Sequence, residues 1–99
     1  MDLSCLVDTG AECTIINSEV WDRIPKKSRP ALRPGRTLKT VGDHHIPVRG
    51  TAALSLEVGG HPVRCQVEIA DIADMAVLGL DVLAALEPQF PSKTVVLKA

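Results

Sequence analysis

Apolar and polar positions alternate through much of this chain, and the alternation has the period of a strand rather than a helix. The clearest case is Val63-Arg64-Cys65-Gln66-Val67-Glu68-Ile69, in which every second residue is apolar, as in a half-buried β-strand. Ala53-Leu54-Ser55-Leu56-Glu57-Val58 repeats the pattern within a strand predicted over Thr51 to Val58, and Gly59-Gly60 forms a tight turn between the two. Leu38 to Val41 and Ile46 to Arg49 predict a further hairpin with its tip at residues 42–45. Shorter apolar runs at Leu3 to Val7, Cys13 to Ile16, Met75 to Leu78 and Thr94 to Leu97 predict four more strands. Met75-Ala76-Val77-Leu78 lacks alternation, as expected of a strand covered on both faces.

Two stretches depart from this period. Asn17-Ser18 offers a helix N-cap ahead of Glu19 to Ile24, and Pro25 stops the helix. Near the other end, Asp81 offers a cap for a short helix over Val82 to Leu86, ahead of Pro88. Between Pro25 and Arg36 prolines interrupt the chain, and Lys26, Lys27, Arg29, Arg33 and Arg36 read as a solvated loop. The prediction is a single all-β domain over residues 1–99 with a short C-terminal helix.

Composition narrows the function classes. Eleven Lys/Arg nearly balance twelve Asp/Glu, so the overall charge gives no footprint for nucleic acid. No apolar run is long enough for a membrane span. Cys5, Cys13 and Cys65 make an odd set without a C-x-x-C pair, which predicts reduced thiols in an intracellular, cytoplasmic protein. Cys13 reads as a small core residue, with a Cys-His nucleophilic pair as the reactive alternative. Asp43, His44 and His45 read as a polar hairpin tip, so neither a metal nor an organic cofactor is expected.

The segment richest in chemistry is Leu6-Val7-Asp8-Thr9-Gly10-Ala11. An apolar strand delivers a carboxylate onto a tight turn. Gly10 lets the backbone turn sharply, Thr9 can hydrogen-bond across a symmetry axis, and Ala11 leaves room beside the acid. An Asp in an ordinary turn accounts for the tripeptide equally well. Peptide hydrolysis through an activated water needs two carboxylates sharing one proton, and the chain has one Asp-Thr-Gly. The second carboxylate would then come from another copy of the chain, across a two-fold axis.

The run Leu6-Val7-Asp8-Thr9-Gly10-Ala11-Glu12-Cys13-Thr14-Ile15-Ile16 resembles the active-site segment of retropepsins, the proteases of retroviruses and long-terminal-repeat retrotransposons. Ala76-Val77-Leu78-Gly79-Leu80-Asp81-Val82-Leu83 resembles the second signature of that family, and Thr40 to Gly50 falls where the family keeps its flap hairpin. The resemblance implies an all-β, retropepsin-like closed barrel or sandwich protomer. It implies an aspartic endopeptidase that works as a homodimer on an extended polypeptide. Asp8 would be the catalytic carboxylate, with Thr9 and Gly10 holding its turn. Ala11, Gly42, Asp43, His44 and His45 would face substrate. Family members carry more strands ahead of the active-site turn than the seven residues that precede Asp8 here, so N-terminal strands are expected to be missing. Two rival readings are a catalytically silent dimerisation or peptide-binding module and, on weaker grounds, a phosphoryl-transfer enzyme with Asp8 as nucleophile.

Overall fold

The alternation along residues 51–69 becomes one long antiparallel pair. Strands β4 (His44–Val58) and β5 (His61–Ala70) run together from Val58↔His61 to Val48↔Ala70 in a computed structural model that describes residues 2–7, 13–34, 38–41, 44–58, 60–86 and 94–98. Ala52, Leu54, Leu56 and Val58 are buried and the residues between them are not, because successive side chains leave opposite faces of a strand. The other elements are β1 (Asp2–Val7), β2 (Ile15–Asn17), α1 (Ser18–Arg23), β3 (Leu38–Val41), β6 (Ala76–Leu78), α2 (Leu80–Leu86) and β7 (Thr94–Lys98).

The strand order is β3-β4-β5-β2-β6-β1-β7, and β7 also pairs with β4. Strands β4, β5, β2, β6, β1 and β7 therefore form a closed circuit of pairings. Strand β6 lies inside it, parallel to β1 and antiparallel to β2. Both faces of this central region are covered. Ile16, Ala76 and Leu78 join the main core with Trp21, Ile24 and Val82, while Ile15, Ala70 and Val77 pack with Ile46, Val48 and Ile72 in a second cluster. Burial on both sides explains why Ala76-Val77-Leu78 and the end of β5 lose their alternation.

Several boundaries differ from the sequence reading. Residues 44–58 form one strand rather than two, so His44 and His45 belong to β4 and not to a hairpin tip, with Val41↔His44 as the last pair of the β3–β4 ladder. Gly50 lies inside β4, at the register shift between Val48 and Gly50; there it passes so close to the Arg33 carbonyl that any Cβ would collide with it. Helix α1 begins at Ser18, with Asn17 as its cap: Asn17 Oδ1 accepts from the Glu19 N–H at 2.7 Å. Helix α2 begins at Leu80, so Asp81 lies in its first turn rather than at its cap.

Candidate active site

Asp8, Thr9, Gly10, Ala11, Gly42 and Asp43 lie outside the described residues, and His44 and His45 are described only as backbone at the start of β4. The elements on both sides of the Asp8 segment are described. Upstream, β1 is held on one edge by β6, through Cys5↔Ala76, Leu6↔Val77 and Val7↔Leu78. On its other edge it pairs with β7 from Asp2↔Val96 to Ser4↔Thr94. The first half of the strand that leads into Asp8 is thus held by β7 and its second half, up to Val7, by β6, which limits the freedom of its end.

Downstream, the chain is fixed by a polar clasp. Thr14 is fully buried, and its Oγ1 donates to Asp81 Oδ1 at 2.8 Å. The same Thr14 Oγ1 accepts from the Gly79 backbone N–H at 3.2 Å, and the Thr14 backbone N–H donates to Asp81 Oδ2 at 3.2 Å. Asp81 Oδ1 also accepts from the Val82 N–H at 2.8 Å, and Glu68 N–H donates to the Thr14 carbonyl at 3.0 Å. Every polar group that burial strips of water at Thr14 has a protein partner. Four elements, β2, β5, β6 and α2, meet at this one residue. One turn further on, Asn17 Nδ2 donates to the carbonyls of Ile72 and Asp74, tying the start of α1 to the loop ahead of β6.

Neither Thr14 nor Asp81 was assigned this part from sequence. The available signal was a lone hydroxyl in the apolar run 13–16, since a polar side chain buried in a strand needs a partner. Nothing local says that the partner lies 67 residues away. Cys13, expected in the core, is half-buried and its Sγ donates to Oε1 of buried Glu68 at 3.6 Å. Cys65 is half-buried, and its thiol is pushed up to about 11, first by burial and then by the Asp81 carboxylate. Among the described residues no group of three or more His, Cys, Asp or Glu gathers as metal ligands would.

A strand on each side of the Asp8 segment, and later an apolar strand followed by a glycine and a short helix, agree with the order of elements that the sequence resemblance implied. The family model for the gag-polyprotein putative aspartyl protease matches residues 2–85, most of the chain. The chain belongs to this family. Both the Asp8-Thr9-Gly10 segment and the Thr14–Asp81 clasp fall within the match. No curated protein matches the chain. Among solved structures, the EIAV protease complexed with the inhibitor HBY-793 is similar over 90% of this chain and 81% of that one, with a TM-score of 0.72 and 24% identity. At that identity the likeness concerns the fold, which is the all-β retropepsin-like fold expected for an aspartyl protease family member.

Proposed function

We propose that this chain is one half of a homodimeric aspartic endopeptidase, with Asp8 as its catalytic carboxylate. The observation that carries the reading is the aspartyl protease family match over residues 2–85, which includes the chain's one Asp-Thr-Gly. The mechanism follows from the chemistry of two like charges. Two Asp8 carboxylates brought together across a two-fold axis retain one proton between them. The ionised one takes a proton from a water as that water's oxygen attacks the scissile carbonyl carbon. The protonated one donates to the carbonyl oxygen. Collapse of the tetrahedral species breaks the C–N bond, and a proton passes to the departing amine. No covalent acyl-enzyme forms, and the two carboxyl groups together regain one proton. Thr9 and Gly10 hold the turn, and Ala11, Gly42, Asp43, His44 and His45 face an extended polypeptide.

Two further observations support the dimer. Leu6 and Leu80 are the exposed large hydrophobics among the described residues, 49% and 45% accessible in the single chain. Leu6 lies two positions before Asp8, and Leu80 directly follows Gly79 of the clasp. A second copy meeting this one at the Asp8 segments would cover apolar surface at the place where the single chain leaves it open.

The test is solution mass together with cleavage of an unfolded protein substrate, for wild type and Asp8→Asn. We expect a dimer whose cleavage falls by about 10²–10⁴-fold in the variant, the range that a positioned general acid–base contributes. A dimer with no cleavage in either form would instead identify the silent peptide-binding or dimerisation module. Cleavage that survives Asp8→Asn would overturn the assignment of Asp8.

A further inference from the structure

Charge along the chain is strongly segregated. Six of the eleven Lys/Arg, and none of the twelve Asp/Glu, fall between Arg23 and Arg36. This stretch is more than a solvated loop. Lys26–Ser28 forms a short 3-10 turn, and Arg29 lies over the Trp21 ring at 5.2 Å and donates to the Trp21 carbonyl. Arg33 forms a two-way backbone bridge with Thr51 of β4, at 2.8 Å in each direction.

That bridge creates a notch in the edge of β4. Thr51 turns its N–H and C=O away from β5 toward Arg33, and the period-2 backbone gives Ala53 the same orientation. No described strand pairs with Ala53 on that edge. The Arg33 bridge lies two residues before it, and the β7 ladder begins two residues after it at Ser55↔Lys98. The antiparallel register would put Ala31 opposite Ala53, but among the described residues the bridge stops at Arg33↔Thr51, and a hollow of about 260 Å³ lies there instead. The hollow is lined by Pro30, Ala31, Arg33, Ala52, Ala53 and Gln66, none of them acidic. Glu68, on the same face of β5 as Gln66, is buried and accepts from Cys13.

We propose that this notch is a docking site for an acidic polypeptide segment, distinct from the Asp8 site. One peptide group of the segment pairs with the backbone N–H and C=O of Ala53, as an added strand does at an open sheet edge. One Asp or Glu side chain of the segment meets the Arg33 guanidinium. The surrounding basic stretch supplies long-range attraction and speeds encounter. The volume is below the roughly 300 Å³ at which pockets for drug-sized ligands begin, and it suits one or two residues of a peptide. Nucleic acid fits less well. Binding of single strands relies on aromatic platforms for base stacking, and Trp21 is 3% exposed beneath Arg29.

The test is fluorescence anisotropy at low salt with labelled octaglutamate, octalysine and single-stranded oligouridine as probes. The variants are Arg33→Glu, Ala53→Leu and Lys27→Glu, each checked for folding by its thermal melt. We expect octaglutamate to bind and octalysine not to. Arg33→Glu and Ala53→Leu should each weaken octaglutamate by about tenfold or more, and Lys27→Glu by less than about threefold, because Lys27 does not line the hollow and adds only long-range attraction. If filling the hollow at Ala53 compromises folding, Gln66→Glu replaces it, putting a like charge on the exposed wall. Equal losses from Lys27→Glu and Arg33→Glu, with no effect of Ala53→Leu or Gln66→Glu, would reduce the site to diffuse charge. Preferential binding of oligouridine would overturn the proposal. None of these readouts depends on Asp8, so failure here leaves the protease reading untouched.

Discussion

Asp81 and Asp22 each collect several donors, and they teach opposite lessons about what a carboxylate contributes. Asp22 lies in α1 with its side chain 56% exposed, and it takes Arg49 Nη1 at 3.0 and 3.1 Å and Arg29 Nη1 at 3.6 Å. Asp81 is also exposed as a residue, yet its oxygens receive the hydroxyl and backbone N–H of fully buried Thr14. The difference lies in the partners. Water can replace what Asp22 gives to Arg49. Water has no access to Thr14, so a lost bond there leaves a buried group unsatisfied, which costs about 1–3 kcal/mol per group.

The strongest way to break this comparison is Thr14→Val. The change keeps the shape and removes the hydroxyl, so Asp81 loses its shortest bond from Thr14 and the buried Gly79 N–H loses its acceptor. We expect a loss of about 2–4 kcal/mol by chemical denaturation, and recovery of most of it in Thr14→Ser, which restores the hydroxyl. The clasp also sets the chain that follows the Asp8 segment, so activity should fall further than stability. A Thr14→Val variant as stable as wild type would mean that the clasp contributes nothing.

Asp81 also acts through its charge. Burial and then the Asp81 carboxylate push the Cys65 thiol from 9.0 to about 11. The folded state therefore keeps a proton that the unfolded chain gives up. Any stability linked to Cys65 is intact below pH 9 and is lost as pH rises from 9 to about 11. Alkylation by iodoacetamide reports the same shift, because the thiolate is the nucleophile. We expect Cys65 to react more slowly at pH 9 in the folded protein than after unfolding, and faster in Asp81→Asn than in wild type. Asp22→Asn should leave that rate unchanged. Equal rates in Asp81→Asn and wild type would show that burial alone protects the thiol.

These contacts also mark where the sequence was informative. The β5 alternation over Val63 to Ile69 was legible because its outer half has one face in solvent, and the apolar run Leu3 to Val7 was legible as the strand that leads toward Asp8. Strand β4 was harder to read. Gly50 looks like a break, but it marks an irregular register inside the strand, pressed against Arg33. Asp81 looked like a helix cap because a cap is a local motif, whereas its real partner comes from the other end of the chain. Local periodicity reports which face of an element is buried. It does not report which distant polar group satisfies another, and the clasp is made of such pairs.

The smallest effect completes the comparison. Asp22→Ala removes both of its arginine contacts, and pairs of this kind between exposed side chains contribute about 0–1 kcal/mol. Arg49, 41% exposed, returns to water at little cost. Arg29, 17% exposed, retains the Trp21 ring and the Trp21 carbonyl, so its position is over-determined without Asp22. We expect a loss below about 1 kcal/mol that nearly vanishes near 1 M salt, where the screening length falls to about 3 Å. The Thr14→Val loss should be insensitive to the same salt, because a neutral hydroxyl in a buried bond is not screened. A salt-independent loss at Asp22 as large as that at Thr14 would mean that Asp22 holds Arg29 on Trp21 as tightly as Asp81 holds Thr14, and the distinction drawn from burial would fail.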